Sequence, residues 1–371
     1  MRTPDLNWIK DPRVFQVNRQ HAYSDHIYTI GKDKKPSSFS LNGTWKFNLS
    51  KNYDSCFKFF YNTEFNDSNW NNIQVPGHIQ LQGFDNPHYT DVTYPWDGHD
   101  VAKPGQIDMD KNKVYQYRKT FDCPQDFIGN KLILSFEGVE SNIYVWLNGK
   151  FIGYSEDSFT PSRFDITKYT QEKDNVLCVR IFQKCTGTWL EDQDMWRFTG
   201  IFRDVMIYKQ PSQHIQDLKI DTDINLDTNK SVLSCVCKMS SNESHTLQAK
   251  LYDPQGNIVW NGNMQDTFEI PVENTCLWSS EFPNLYQLEL VLYDTNNEII
   301  ESIQEQVGFR KFTLEYGIMK LNGKRIVFHG INRHEWDPKT GRCLSQDQME
   351  EDIHMLKSLN INAIRTSHYP N

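Results

Sequence analysis

The chain has 371 residues, with 39 basic and 48 acidic side chains and a net charge of −9. That length allows two or three domains with more than one sizeable core. An acidic balance with no basic block argues against a nucleic-acid partner. No run approaches the roughly 18 apolar residues of a membrane span, and the first residues, Met1-Arg-Thr-Pro-Asp-Leu-Asn-Trp8, carry no apolar leader. The eight cysteines form no zinc-like CxxC pair and no regular framework. The expectation is a soluble, cytoplasmic, thiol-reduced protein with no membrane partner. Aromatic residues make up 13% of the chain, which suits β-rich cores and also sugar binding, since pyranose faces stack on rings.

Residues 1 to 40 read as a polar, irregular arm that packs across another subunit or domain. Strand signals then dominate from Leu41-Asn-Gly-Thr-Trp45-Lys-Phe47 onward. Lys131–Phe136 precedes Ser141–Leu147, then Asn148-Gly149, then Lys150–Tyr154. Asn-Gly between two apolar runs is a strong hairpin signal, because a type I′ turn needs positive φ at both central residues. Further strands are read at Asn175–Phe182 and Arg203–Tyr208, so residues 1–211 are assigned to the arm plus a jelly-roll β-sandwich. Residues 212–309 repeat the theme with alternating runs such as Thr246–Tyr252 and Leu285–Tyr293, which suggests an immunoglobulin-like sandwich. Cys235 and Cys237, two apart on one strand face, read as small buried hydrophobes.

Residues 310–371 change character. Leu321-Asn322-Gly323-Lys324 reads as another hairpin turn. The apolar run Ile326-Val327-Phe328 then leads into His329-Gly330-Ile331-Asn332-Arg333-His334-Glu335. A helix opens at Ser345, with Gln348 completing a capping box. Its Met349, Ile353, Leu356 and Leu359 form an apolar stripe expected to face the strands. A second run, Ile361, Ala363 and Ile364, leads into Arg365-Thr366-Ser367-His368-Tyr369-Pro370-Asn371. Strand, helix, strand is the opening of a parallel barrel. A complete (β/α)8 barrel needs roughly 250 residues and roughly sixty are present, so the chain is expected to be the front part of an enzyme, truncated inside that barrel.

In such barrels the functional groups sit at the C-terminal ends of strands. Asn332, Arg333, His334 and Glu335 are placed there after the first strand, and Thr366 to Asn371 after the second. Two neighbouring strand ends each presenting an imidazole suggest hydrogen bonding to one polyhydroxylated ligand. A second cluster, Thr188 to Asp204, carries Glu191, Asp192 and Asp194 beside Trp196, Arg197 and Arg203. These carboxylates could serve as a glycosidase acid and nucleophile, hold a cation or a sugar hydroxyl, or pair with the two arginines; Asp194 is favoured as a ligand-holding group. A third cluster, Asp85 to Trp96, reads as a rigid loop edging a sugar pocket.

Four stretches together carry a family resemblance: Asn86-Pro-His-Tyr-Thr-Asp-Val-Thr-Tyr-Pro95, Glu191-Asp-Gln-Asp-Met-Trp-Arg-Phe-Thr-Gly-Ile-Phe-Arg-Asp204, Gly330-Ile-Asn-Arg-His-Glu335 and Asn362-Ala-Ile-Arg-Thr-Ser-His-Tyr-Pro-Asn371. In this order they resemble the glycoside hydrolase family 2 β-galactosidases over essentially the whole chain. The resemblance implies a jelly-roll sugar-binding domain, an immunoglobulin-like domain and a TIM barrel. It implies a retaining hydrolase of terminal β-D-galactosides such as lactose. Asp194 then matches a carboxylate that contacts galactose and sodium, and His334 and His368 match histidines that hold the galactosyl ring and favour the transition state. Asp91 matches a substrate-contacting position that is Asn in the best-known members, and an ionised Asp accepts from a hydroxyl without donating. The family's acid/base Glu, nucleophile Glu and magnesium ligands lie on later barrel strands, so the chain alone is expected to be inactive. Its expected partners are the β-galactoside, the remainder of the barrel or a complementing chain, and further copies in a homo-oligomer when intact. The alternatives are a non-catalytic carbohydrate-binding module, a complementation subunit, and a β-glucuronidase-type enzyme of the same family.

Overall fold

The computed structural model describes residues 3–369 apart from 25–26, 33–36, 95–102, 104 and 192–193. Pro95, Trp96, Asp192, Gln193, Pro370 and Asn371, named among the motifs above, lie outside the described residues. The chain divides into two compact units: Met1–His21, Ser38–Lys209 and Gly330–Asn371 form the first, Ala22–Ser37 and Gln210–His329 the second.

The first unit is built on a sandwich. One sheet has seven strands in the order Gln16–Val17, Lys150–Glu156, Asn142–Leu147, Asn175–Phe182, Val114–Phe121, Gly43–Ser50 and Asn71–Val75. The facing sheet has four, in the order Ser162–Asp165, Lys131–Phe136, Val205–Gln210 and Ser38–Ser40. Side chains alternate across a strand, and on Asn142–Leu147 both faces are buried. Ile143, Val145 and Leu147 join Trp45, Phe47, Tyr117, Leu134 and Phe164 between the sheets. Tyr144 and Trp146 point the other way into a second, aromatic core with Phe60, Trp70, Tyr154 and Phe182. The predicted hairpin is present, with Asn148 at φ 50° and Gly149 at φ 75°. Burial on both faces explains why so many rings are needed.

The arm closes that second core on its own chain. Leu6–Lys10 forms a short 3-10 helix capped by Asp5, whose carboxylate accepts from the Asn7 N–H. Ile9 is buried, and Trp8 lies 6.0 Å from Tyr144 in a near-parallel stack. Gln16–Val17 then pairs with Tyr154 and Ser155 as an edge strand. The expectation of an irregular arm is therefore corrected here: short apolar segments separated by polar linkers carry too little periodicity to register as elements.

The second unit is also a sandwich. Ile215–Asn225, Lys230–Met239 and Thr267–Glu273 make one sheet. The other runs Ile27–Ile30, Ile299–Val307, Tyr286–Tyr293, Thr246–Tyr252, Ile258–Met264. Leu233, Cys235, Leu251, Phe268, Leu288 and Ile303 fill the space between, so Cys235 is the small core residue expected of it. All eight cysteines are free. A three-stranded hairpin sheet, Phe312–Glu315, Ile318–Leu321 and Lys324–Arg325, follows, turning at Asn322 (φ 51°) and Gly323 (φ 77°).

Gly330–Arg333 and Ala363–Thr366 pair in parallel, with Gly330 opposite Ala363, and the helix Gln346–Ser358 lies between them in sequence. The strand starts later than the apolar run Ile326–Phe328, which is irregular, with Val327 and Phe328 more than half exposed. Gly330 allows the close approach: a Cβ there would sit 3.2 Å from the Ala363 carbonyl oxygen. The capping box forms as predicted, with Ser345 accepting from Gln348 N and Gln348 Oε1 accepting from Ser345 N. The apolar stripe is another correction. Met349 and Leu356 are half-buried, but Ile353 and Leu359 are exposed, because two four-residue strands offer too little surface to cover the helix face.

Candidate functional site

A short ribbon organises the site. His88–Thr90 pairs antiparallel with Met195–Arg197, placing Thr90 opposite Met195, Tyr89 opposite Trp196 and His88 opposite Arg197. Continued by one residue, this register sets Asp91 opposite Asp194. Because side chains alternate, Tyr89, Asp91, Asp194 and Trp196 share one face. All four are exposed, and the intervening Met195 is 4% exposed on the opposite face. The second and third sequence clusters are thus two strands of one structure, a pairing the sequence did not signal.

Tyr89 ties the face together. Its hydroxyl donates to Asp194 Oδ1, and its ring centroid lies 5.5 Å from that of Trp196. That hydrogen bond, and then the charges of Asp194 and Asp91, hold the Tyr89 phenol above its ordinary range, so it stays a donor. In the sequence Tyr89 stands within a motif but carries no role of its own. A signal existed, since Tyr89 and Asp91 are two apart.

The barrel-like segment brings the imidazoles to this place. His334 follows directly after Gly330–Arg333, and His368 lies two residues past Thr366. Their rings are 5.5 Å apart at 88°. Burial and then the neighbouring His368 hold His334 below the usual imidazole range, while the Asp194 carboxylate acts in the opposite sense. Asp194, His334 and His368 therefore belong to one electrostatic neighbourhood, with Asp91 joined to it through Tyr89. Asn332 and Arg333 lie within the strand rather than beyond it. Arg333 is held by Glu335 at 2.6 Å and by Asp352, so Glu335 is engaged in an ion pair.

The loop carrying Asp194 is anchored from behind. Glu191 accepts from Ser158 N and Ser158 Oγ, both at 2.7 Å, and burial raises its carboxyl to about 7. Its partner is therefore Ser158 rather than Arg197 or Arg203, and the acid-or-nucleophile alternative for Glu191 is set aside, because both oxygens are engaged in holding the loop. Glu156 fixes the preceding turn, accepting from Gly187 N at 2.7 Å and from Thr186 Oγ1.

Arg342 is the central residue that sequence reasoning missed. Its guanidinium is 2% exposed and pairs with Glu140. It also donates to the Trp196 carbonyl at 3.0 Å, while its backbone N–H donates to His78 Nε2 at 3.0 Å. The rings of Phe159, Phe198, Phe202 and Tyr369 surround it at 5.4 to 5.8 Å. Through Trp196 and Tyr369 it touches the chain neighbours of Asp194 and His368. A lone arginine in a polar loop carries no pattern that would have marked it.

Among the described residues no group of three or more His, Cys, Asp or Glu side chains is arranged to hold a metal ion. What the site offers is hydrogen bonding: two carboxylates that accept, two imidazoles that donate or accept, and an aromatic surface beside them. No helix of the described residues is long and apolar enough to cross a membrane.

Comparison with known proteins bears on this arrangement. Residues 39–211 match the sugar binding domain of glycosyl hydrolases family 2, residues 213–310 match a further family 2 domain, and residues 312–371 match the family 2 TIM barrel domain. The β-galactosidase of Halalkalibacterium halodurans is 47% identical over 99% of this chain and 38% of its own length. That of Streptococcus thermophilus is 42% identical over 98% of this chain and 36% of its own. The β-galactosidase large subunit of Leuconostoc lactis is 42% identical over 99% of this chain and 62% of its own. Among solved structures, a β-glucuronidase from Ruminococcus gnavus superposes with a TM-score of 0.73 at 19% identity, covering 95% of this chain and 56% of that one. That likeness speaks for the fold. The chain spans roughly two fifths of the first two relatives and about three fifths of the large subunit. Three successive family matches and relatives aligned over almost the whole chain agree with the jelly-roll, immunoglobulin-like and barrel-strand architecture: the chain belongs to glycosyl hydrolase family 2.

Proposed function

We propose that this chain is the substrate-holding N-terminal part of a retaining β-galactosidase that hydrolyses terminal β-D-galactosides such as lactose. The observation that carries the reading is the gathering of Asp194, His334 and His368 into one electrostatic neighbourhood, with Tyr89 and Asp91 beside Asp194. Relatives named β-galactosidase, at 42 to 47% identity, support it. In this reading Asp194 and Asp91 accept from sugar hydroxyls, and Asp194 contributes one donor toward sodium. His334 and His368 hydrogen-bond the ring and bind more strongly as charge develops there, a differential effect. The division into 1–211, 212–309 and 310–371 is part of the proposal and is supported by the three matched ranges.

Retaining hydrolysis needs two carboxyl groups about 5 Å apart. Glu335 is ion-paired and Glu191 is engaged behind the loop. The acid/base, the nucleophile and the magnesium ligands are therefore assigned to further barrel sequence or to a complementing chain, as the name "large subunit" of three relatives suggests. The assembled enzyme is proposed to be a homo-oligomer. Eight free thiols support a reducing compartment, taken as the cytoplasm.

Two measurements on the 371-residue chain test this. Galactose should bind, and glucuronic acid should bind at least tenfold more weakly, since a uronate carboxylate would face Asp91 and Asp194. A nitrophenyl β-galactoside should not turn over. Tighter binding of the uronate, or turnover abolished by Glu335→Gln, would overturn the reading.

A further inference from the structure

Asn-Gly occurs four times in the chain, at Asn42-Gly43, Asn148-Gly149, Asn261-Gly262 and Asn322-Gly323. The dipeptide is chemically labile, because the backbone nitrogen of the glycine can attack the side-chain carbonyl carbon of the asparagine. A glycine has no Cβ to shield that nitrogen. Attack forms a C–N bond and breaks the bond to the side-chain nitrogen, which leaves as ammonia with the proton given up by the backbone amide. The cyclic imide that results is opened by water at either carbonyl, giving an aspartyl or an isoaspartyl linkage. Water is the only co-reactant. The reaction needs an asparagine side chain free to turn onto its own main chain.

Three of the four side chains are held at both ends. Asn42 donates to Asp204 Oδ1 at 2.8 Å and accepts from Val205 N at 3.0 Å. Asn148 donates to the Tyr169 carbonyl and to Asn175 Oδ1, and accepts from Val176 N at 2.8 Å. Asn322 donates to the Trp278 carbonyl at 3.0 Å and accepts from Lys311 N at 2.9 Å. Cyclisation at these positions must first break two or more hydrogen bonds. Asn261 differs: it is exposed, and its side chain makes no hydrogen bond among the described residues. Its strand, Ile258–Met264, pairs only with Thr246–Tyr252 and is the outermost of its sheet. An outer strand opens locally more readily than a central one, which gives the main chain the freedom that cyclisation needs.

We propose that Asn261 is the chain's site of spontaneous deamidation, a modification that marks the outer strand of the second unit with age. Either product adds a negative charge to a chain already at −9, opposite Lys250, whose Nζ lies 3.7 Å from Glu289. The isoaspartyl product also lengthens the main chain by one carbon and puts Gly262 out of step with Ala249, beside Trp260 and Met264, which pack on the core of that unit.

The test ages the 371-residue chain in mildly alkaline buffer. Tandem mass spectrometry of its peptides follows the amide-to-acid change at each Asn-Gly, and labelling by isoaspartyl methyltransferase follows the isoaspartyl fraction. Conversion at Asn261 should outpace that at Asn42, Asn148 and Asn322 by about tenfold or more, the factor expected when the others must break their hydrogen bonds first. In concentrated urea the four rates should converge, because the fold sets the difference. Asn261→Gln removes no side-chain hydrogen bond, so the variant should unfold as the parent does while losing most of the isoaspartyl label. Comparable rates at all four positions in the folded chain, or a label that persists in Asn261→Gln, would overturn the proposal. So would an Asn261 that converts only in urea, since pairing with Thr246–Tyr252 would then hold the strand shut.

Discussion

Replacing Arg342 by Met tests whether one buried cation holds the site together. The thioether chain keeps apolar bulk among Phe159, Phe198, Phe202 and Tyr369 but strands the Glu140 carboxylate, whose side chain is 11% exposed. Removing one partner of a buried pair costs roughly 3–5 kcal/mol, and the lost bond to the Trp196 carbonyl adds about 1 kcal/mol. Burial lowers the guanidinium only to about 10, so the charge is present at neutral pH. Arg342→Met should therefore weaken the first unit by about 4–6 kcal/mol, measured as the loss in its urea-unfolding transition by near-ultraviolet circular dichroism. Adding Glu140→Gln removes the stranded charge and should recover about 2 kcal/mol, the non-additivity expected of contacting residues. A loss below about 1 kcal/mol, or no recovery in the double variant, would refute the claim that the pair is a buried interacting unit.

Further expectations concern the residues around it. Burial raises Glu191 to about 7, above its unfolded value, so the folded state binds the proton more tightly. Its contribution is then fully present below the unfolded value and is lost as pH rises through 7. Glu191→Gln should gain stability relative to the parent chain across that window, with a slope up to about 1.4 kcal/mol per pH unit; a pH-independent difference would contradict it. The His334 imidazole should titrate below free histidine by NMR, higher after His368→Ala and lower after Asp194→Asn, because their charges act in opposite senses. Gly341 has φ +65°, and a Cβ there would stand 2.6 Å from His78 Cδ2. Gly341→Ala should therefore lower the first unit's stability by about 1–3 kcal/mol, read by thermal unfolding.

What the sequence made legible were features carried by local pattern. Asn148-Gly149 specifies its turn through φ alone, Ser345 and Gln348 specify a helix start, and alternation marks Thr246–Tyr252. Elements that depend on distant partners were less readable. Gln16–Val17 is a strand only because Tyr154 and Ser155 lie beside it, and Gly330–Arg333 displaced the more apolar Ile326–Phe328 because close pairing with Ala363 favours a glycine. The site followed the same division. Asp194, His334 and His368 stand out as chemistry at strand ends, whereas Tyr89 acquires its role only once its strand pairs with that of Trp196, and Arg342 only once four rings from three segments enclose it.

The chain passes between its two units at residues 21/22, 37/38, 209/210 and 329/330, four crossings in all. Ile27 near the start completes a sheet by pairing with Gln304 near the other end. During synthesis, therefore, the early strand Ile27–Ile30 must wait for Ile299–Val307 to emerge, and the first unit waits longer still for Arg342 and Tyr369. A single nick by a protease at any one crossing would leave the two units still joined covalently at the other three. Covalent separation therefore requires a cut at all four crossings, which leaves each unit assembled from non-contiguous segments.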